Sequence, residues 1–449
     1  MTLTSYTRNP IPRPTRITQE NQCPSPRIKQ VFLNCFFVCC LHKITLFLPV
    51  PVSSQARSTM AFNGELFDIF SWLPAKSLYR FSSVCKSSRE LLSDDLFITK
   101  QFKNMQLVPD RDFFIYPDIV QRYRNGDLES HALSSKNSGS RPPPESLDFL
   151  ANRGNVITSS NGLLCCRNIG EDENPLFLFN PTTRSYLPIP RPDERLTPDR
   201  GIPIVFACEK DEDSGDGDDF LLLALCIPDE WGEKFHSKIY SSEERTWKDK
   251  GRVDLGQRDM NFGHAVKLNG AVYMVSDSSN YLAKQSSFFW PYILAYDVKT
   301  SSSKFLKIPK GARKGVHDSA LCIFEWADHP NTMCLVKLLK NVFTVWVLIR
   351  TSSSYYWKRV FRMRVKAMAL ALSHTDHLRV DGFAVVNGSS LIFATGQKVY
   401  SYNLKDGNNK GAAEEVCGHR CQDDVRFASF SSTLRPCGPG AITLPLHAA

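Results

Sequence analysis

The stretch ITSSNGLLCC (Ile157–Cys166) places an Asn-Gly pair directly before a run of apolar residues. Asparagine and glycine favour turns, and a short apolar run after a turn is typical of a strand. The same element recurs as Asn269-Gly270 before Ala271–Val275 and as Asn387-Gly388 before Leu391–Phe393. The pattern predicts short strands joined by turns.

Two further apolar runs, Phe220–Leu225 and Met333–Leu338, fill the gaps in this series. The five elements begin near residues 162, 220, 270, 333 and 388, at intervals of 50 to 63 residues. A second strand–turn–strand element follows each one, as in Phe179–Tyr186 and Ile239–Trp247. A four-stranded unit repeated around a ring is a β-propeller, and kelch units recur at about 50 residues.

A sixth unit can be assembled from the two ends of this region. Its pieces are Arg111–Tyr116, the strand around His131 and the C-terminal run Arg426–Leu434. The sequence therefore predicts a mainly β protein with a kelch-like β-propeller of about six blades over residues 105–435. Residues 436–449 are predicted to be a flexible tail. An irregular stack of β-sandwiches is the alternative fold.

Residues 61–100 show a helical period instead. Leu66, Phe67, Ile69, Phe70 and Leu73 recur at spacings of three and four, which indicates a helix with one apolar face. A second stripe follows Pro74 and contains Leu78, Phe81, Val84 and Cys85. Four short helices bury little surface alone. The segment is either a small cap on the next domain or a docking module for a partner.

The stretch ELFDIFSWLPAKSLYRFSSVCKSSRELLSDDLFI (Glu65–Ile98) resembles the F-box. The matching residues are Ile69-Phe70, Leu73-Pro74, Lys76-Ser77-Leu78, Arg80-Phe81, Val84-Cys85-Lys86 and Arg89. Ser88 replaces the tryptophan usual in the family, which is expected to loosen the packing between helices. The resemblance implies that residues 61–100 pack on the C-terminal helices of a Skp-type adaptor. It assigns the contact to Leu66, Ile69, Phe70, Leu73, Pro74, Leu78 and Val84, some of which must instead close the F-box core.

The later region resembles the kelch-type region of plant F-box proteins. The resemblance rests on ITSSNGLLCC, on LFNPTTRSYLPIP (Leu178–Pro190) and on ILAYDVKT (Ile293–Thr300). The kelch double glycine is absent, so an F-box-associated propeller remains open. The resemblance implies a substrate-recognition subunit of a Skp–cullin–F-box E3 ubiquitin ligase in the nucleus and/or cytoplasm. Its partners would be the adaptor, through it the cullin and RING subunits, and an unidentified target protein held by the propeller.

No catalytic residue, cofactor site or metal site is predicted, and the chain is not expected to be an enzyme. The acidic run Asp211–Asp219 has Asp216 where an EF-hand loop needs glycine, so a solvated loop is expected. Cys417, His419 and Cys421, taken with Cys437, fit no standard zinc spacing. Two alternatives remain, a free-standing propeller that binds partners without ubiquitylation and a propeller enzyme with convergent polar groups at its channel.

The net charge of +9 is concentrated at the N-terminus. Residues 1–59 contribute +6, which leaves +3 for the rest, so no nucleic-acid partner is expected. The apolar stretch Val31–Val52 has His42 and Lys43 near its middle, which makes membrane insertion costly. Residues 1–59 are predicted to be a disordered or dispensable extension. The scattered cysteines indicate a reducing compartment.

Overall fold

The computed structural model describes residues 64–110, 112–118, 123, 126–133, 141–170, 173–193, 203–208, 220–226, 234–279, 281–313, 319–327, 331–351, 354–368, 378–406, 412–422 and 424–445. The predicted extension 1–59, with its apolar stretch Val31–Val52, and the acidic run Asp211–Asp219 lie outside these residues. Within the described ranges, no helix is long and apolar enough to cross a membrane.

Four short helices open the described chain. They are α1 (Gly64–Phe70), α2 (Ala75–Ser82), α3 (Lys86–Leu91) and α4 (Asp95–Gln106). Pro74 is the N-cap of α2, and the Asp94 carboxylate accepts a hydrogen bond from Phe97 N at 2.8 Å to cap α4. Their core contains Leu73, Ala75, Leu78, Leu91, Phe97 and, from the far end of the chain, Leu434.

The rest of the described chain is almost entirely antiparallel strands. In chain order the elements are β1 (Asp112–Pro117), β2 (Glu129–Ala132), α5 (Pro144–Arg153), β3 (Gly154–Ser160), β4 (Leu163–Asn168), β5 (Leu176–Asn180), β6 (Ser185–Ile189), β7 (Ile204–Cys208), β8 (Phe220–Cys226), β9 (Lys234–Ser241), β10 (Thr246–Asp254), β11 (Met260–Leu268), β12 (Ala271–Ser276), β13 (Tyr292–Asp297), β14 (Ser302–Lys307), α6 (Lys310–Arg313), β15 (Ala320–Trp326), β16 (Thr332–Leu339), β17 (Val342–Arg350), β18 (Tyr355–Arg364), β19 (Gly382–Val386), β20 (Ser390–Thr395), β21 (Lys398–Asn403), β22 (Glu414–Gly418), β23 (Val425–Phe430) and β24 (Ile442–Thr443).

These strands form six sheets arranged as the blades of a propeller. Blade one is β3–β6 with β24 added at its edge, and blades two to five are β7–β10, β11–β14, β15–β18 and β19–β22. Blade six joins β23 to β1 and β2. The inner strands β3, β7, β11, β15, β19 and β23 contact one another in a closed ring. The prediction of a six-bladed propeller behind a small helical segment is confirmed.

The ring is closed by pairing the two ends of the propeller region. Strand β23 runs antiparallel to β1, in register from Asp112 opposite Phe430 to Pro117 opposite Val425. Strand β2, which contains His131, pairs with the other edge of β1. The three segments predicted to build the sixth blade therefore form it. Because β1 is paired on both sides, neither of its edges is open where the ring closes.

The Asn-Gly pairs form the turn between the first and second strands of blades one, three and five. Both residues of each pair have positive φ, namely Asn161 (41°), Gly162 (79°), Asn269 (51°), Gly270 (73°), Asn387 (52°) and Gly388 (60°). Two successive positive φ angles define the type I′ hairpin turn, which asparagine followed by glycine tolerates best. A Cβ at Gly388 would lie 2.3 Å from the backbone N of Ala327, so the close approach of the next loop also requires glycine there.

The segment after Pro436 is ordered up to residue 445, which corrects the predicted flexible tail for these residues. Cys437 is fully buried in the core between blades one and two. Ile442 and Thr443 pair with Tyr186 and Ser185 on the outer strand of blade one. The glycine and proline residues of this segment are typical of loose chain. The segment is nevertheless held in place, because Cys437 packs into the apolar core between blades one and two.

Candidate functional site

The four helices present apolar side chains to solvent as well as to their own core. Of the predicted adaptor-contact residues, Leu73 and Leu78 are 6% and 1% exposed and belong to the helical core. Leu66, Phe70 and Pro74 are half-buried. Ile69 and Val84 are 38% and 54% exposed. The structure therefore divides the predicted set, of which only Ile69 and Val84 are exposed.

Two aromatic residues that the sequence did not single out are also exposed on these helices. Trp72, three residues after Ile69, is 39% exposed, and Tyr79 on α2 is 41% exposed. Large apolar side chains exposed on a short helical segment are candidates for contact with another molecule. We call Ile69, Trp72, Tyr79 and Val84 the helical docking surface.

Ser88, which stands where the F-box pattern has tryptophan, is buried in the helical segment. Its hydroxyl lies 2.8 Å from Cys85 Sγ, and its backbone N donates to the same sulfur at 3.4 Å. Cys85 thereby acts as the N-cap of α3. A small polar contact thus occupies the place of a large ring, and aromatic packing such as the Phe70–Phe81 pair at 4.5 Å joins the helices elsewhere.

The helices are fixed to the propeller by residues 431–437, which we call the C-terminal strap. Ala75 N donates to Ser432 O at 3.0 Å. The fully buried Gln101 side chain donates from Nε2 to Leu73 O at 2.9 Å and accepts at Oε1 from Leu434 N at 2.9 Å. The Arg435 guanidinium lies 4.6 Å from the centre of the Phe102 ring. The docking surface therefore has a defined orientation on the propeller.

Behind the helices, the centre of the propeller contains a cavity of about 490 Å³. The inner strands line its wall, and residues 105–110, which connect α4 to β1, line one end. Asn387 holds this connection by accepting from Asp110 N at 2.7 Å and donating to Asp110 O at 3.0 Å. The chain itself therefore occupies the channel end that faces the helices.

The channel lining also contains a histidine, His264, and an arginine, Arg426. Arg426 lies on β23 and pairs with Asp118, with 2.7 Å between Nε and Oδ1. Burial, with a further contribution from the Arg426 charge, lowers the pKa of His264 to about 4. The His264 ring packs edge-on against Phe324 at 5.1 Å. His264 is therefore neutral at physiological pH, and Arg426 provides a cationic donor in the channel lining.

The thiols of Cys421 and Cys437 contact backbone carbonyls. Cys421 Sγ donates to Asp127 O at 3.3 Å, and Cys437 Sγ donates to Ser185 O at 3.2 Å in a different blade. Burial lowers the pKa of His419 and raises the pKa of Cys417 to about 12. Among the residues that the structure describes, no cluster of three or more potential ligands could hold a metal ion.

Comparison with known proteins assigns both parts of the chain to families. Residues 65–103 match the model of the F-box-like domain, and residues 124–419, more than half of the chain, match that of the F-box associated beta propeller domain. An F-box protein of Arabidopsis thaliana is 28% identical over 261 residues, covering 56% of this chain and 65% of that protein.

Two further relatives come from the same plant. A second F-box protein is 25% identical over 270 residues, covering 57% of this chain and 59% of its own length. An F-box/kelch-repeat protein is 25% identical over 292 residues, covering 64% of this chain and 75% of its own length. The chain thus spans about 65% and 59% of the two F-box proteins.

Proposed function

Because the chain belongs to the family of F-box associated beta propeller domains, we propose that it is the substrate-recognition subunit of a Skp–cullin–F-box E3 ubiquitin ligase. The F-box binds the Skp-type adaptor and, through it, the cullin and RING subunits. The propeller binds the target protein. In this role the chain is a receptor rather than an enzyme, and ubiquitin transfer is performed by the partner subunits.

The helical docking surface is the observation that supports this proposal best. Ile69, Trp72, Tyr79 and Val84 are exposed although the helices already have a core of their own. Because these side chains are already about half buried, covering each one stabilises a complex by roughly 1 kcal/mol, about half of what a fully exposed side chain would contribute. The C-terminal strap keeps this surface at a fixed position on the propeller, so adaptor and target would be held in one geometry. Tethering of this kind raises the effective concentration of the target near the transfer site.

The test is co-purification with a plant Skp adaptor. Leu73 is unsuitable for mutation because it lies in the helical core, where aspartate would unfold the helices. We expect Ile69→Asp combined with Val84→Asp to abolish adaptor binding while leaving the fold intact, since each buried carboxylate costs several kcal/mol. Tyr356→Asp, at a side chain 53% exposed on blade four, is the matched control and should bind normally.

Wild-type adaptor binding by the Ile69/Val84 variant would overturn the assigned docking surface. Failure of the wild-type chain to bind any Skp adaptor would favour a free-standing propeller that takes no part in ubiquitylation. A location in the nucleus and/or cytoplasm belongs to the same proposal. It is supported by the described cysteines, which are all free thiols as in reducing compartments.

A further inference from the structure

Arg426 extends across the central channel from blade six towards blade three. These blades lie on opposite sides of the ring, because two inner strands separate β23 from β11 in either direction. Gly263 on β11 nevertheless approaches the arginine so closely that a Cβ there would lie 2.8 Å from Arg426 Nη1. Both residues line the central cavity. The guanidinium therefore reaches the far wall of the cavity.

The wall that Arg426 reaches is irregular. In the pairing of β11 with β12, residues 262–265 stand opposite Met274 alone. The pairing of the inner strands β7, β15, β19 and β23 is regular, and β3 has one extra residue. Bulges are over-represented next to active sites, where they re-aim a side chain. This bulge contains Gly263 and His264, and both line the cavity.

The N–H groups at the end of Arg426 are open to the cavity. Asp118 pairs with Nε, and no residue that the structure describes accepts a hydrogen bond from Nη1 or Nη2. The ring nitrogens of His264 also make no hydrogen bond within the described ranges. By contrast, Ser159 on the same wall donates from Oγ to Ser429 O at 2.7 Å. Arg426 and His264 therefore offer polar atoms that the fold itself does not use.

Closure of the ring by the Arg426–Asp118 ion pair is the simplest alternative explanation. The two side chains are 38% and 47% exposed, and ion pairs this exposed contribute little to stability. Such a pair needs only Nε, so it leaves the reach of the guanidinium to Gly263 unexplained. A side chain that merely filled the channel would donate to carbonyls of the facing strand, because polar groups inside a protein are normally paired. Binding measurements decide between water and a ligand as the partner of Nη1 and Nη2.

We propose that the central channel binds a small organic molecule with a single carboxylate, held by Arg426. A guanidinium pairs with a carboxylate through two parallel N–H···O bonds. Because Arg426 already faces one aspartate, a monoanion suits the site better than a phosphate dianion. The cavity of about 490 Å³ lies within the range of about 300–1,000 Å³ typical of small-ligand sites. Ile157, Phe324 and Val385 provide apolar wall for the body of the ligand.

The probe is benzoate, followed by saturation-transfer NMR on the full chain. Benzamide has the same shape without the charge, and inorganic phosphate has charge without the apolar body. The tripeptide Ala-Glu-Ala with blocked ends presents the carboxylate on a polypeptide. Benzoate has about nine non-hydrogen atoms, so we expect a dissociation constant on the order of 1 mM. Benzamide should bind at least about tenfold more weakly, because it lacks the hydrogen bonds between charged groups.

Two variants separate the charge of the site from its shape. Arg426→Gln removes the cation and should weaken benzoate binding at least about tenfold, to the level of benzamide. Gly263→Ala keeps the ion pair with Asp118 and displaces the guanidinium, so it should weaken benzoate binding at least about threefold, even if Arg426→Gln melts early. The matched control is Arg379→Gln, which removes an arginine paired with Asp424 outside the cavity lining. It should change benzoate binding by less than about twofold.

Four results would overturn the proposal. They are absence of saturable benzoate binding, equal binding of benzoate and benzamide by the wild-type chain, equal weakening in Arg426→Gln and Arg379→Gln, and tighter binding of phosphate or the tripeptide than of benzoate through Arg426. Ligand binding in the channel needs no adaptor, so normal adaptor binding together with any of these results leaves the proposed function intact. Failure of the wild-type chain to bind an adaptor, with intact benzoate binding, contradicts the proposed function and leaves the channel site standing.

Discussion

Replacing Gln101 with alanine is expected to loosen the four helices from the propeller without disturbing the blades. The Gln101 side chain satisfies two buried backbone groups, the carbonyl of Leu73 and the N–H of Leu434, each at 2.9 Å. Alanine leaves both unsatisfied in a region from which solvent is excluded. A buried polar group that loses its partner costs about 1–3 kcal/mol, so the two together should cost between about 2 and 6 kcal/mol.

Hydrogen exchange on the full chain measures this local cost. Amides of α1–α4 should lose protection by at least about 30-fold, which corresponds to about 2 kcal/mol, while amides of blades three and four keep theirs. Lys103→Ala, at an exposed position of the same helix, is the control and should stay within about 0.5 kcal/mol of the parent. A change this small in Gln101→Ala would refute the idea that one glutamine joins the two parts.

Two further predictions concern the C-terminal segment and the channel. Removing residues 437–449 takes fully buried Cys437 and strand β24 out of blade one, so thermal unfolding should show a loss of more than about 1 kcal/mol. Removing 425–449 also deletes β23 and exposes the edge of β1, so light scattering should detect aggregation of the product. If both truncated chains melted like the parent, closure of the ring by β23 would be contradicted. Because the pKa of His264 is lowered to about 4, its contribution to stability is fully present above the ordinary pKa of about 6.5 and is lost as pH falls towards 4. His264→Phe should therefore remove roughly 2 kcal/mol of the stability loss between pH 6.5 and 4 in urea denaturation, and an unchanged pH profile would contradict this role.

The propeller could be predicted from sequence because its signal is local. An Asn-Gly pair sets the backbone of its own turn, and each such turn precedes the second strand of a blade. The closing strand β23 could also be predicted from local sequence, because Arg426–Ser431 alternates in polarity as a half-buried strand does. Neither inference required knowledge of which blade packs against which.

The docking surface could be predicted only in part because it depends on tertiary contacts. A helical stripe shows which residues are apolar, and it does not show which of them another element covers. Leu73 and Leu78 are buried because Leu91, Phe97 and Leu434 reach them, and Leu434 lies more than 330 residues away in the chain. The burial of Gln101 could not be predicted, because a polar residue on a short helix usually faces water.

The position of the C-terminal strap links closure of the propeller to completion of the F-box core. Strand β23 ends at Phe430, and the next residues reach α2 at Ser432 and the helical core at Leu434. The chain segment that fastens blade six therefore also supplies the last apolar side chain of the helices. Since that segment follows β23, the F-box core is incomplete until the strands of all six blades have been made. Adaptor binding and ring closure should consequently be lost together when β23 and the strap are both removed, whereas Gln101→Ala should loosen the helices and leave the ring closed.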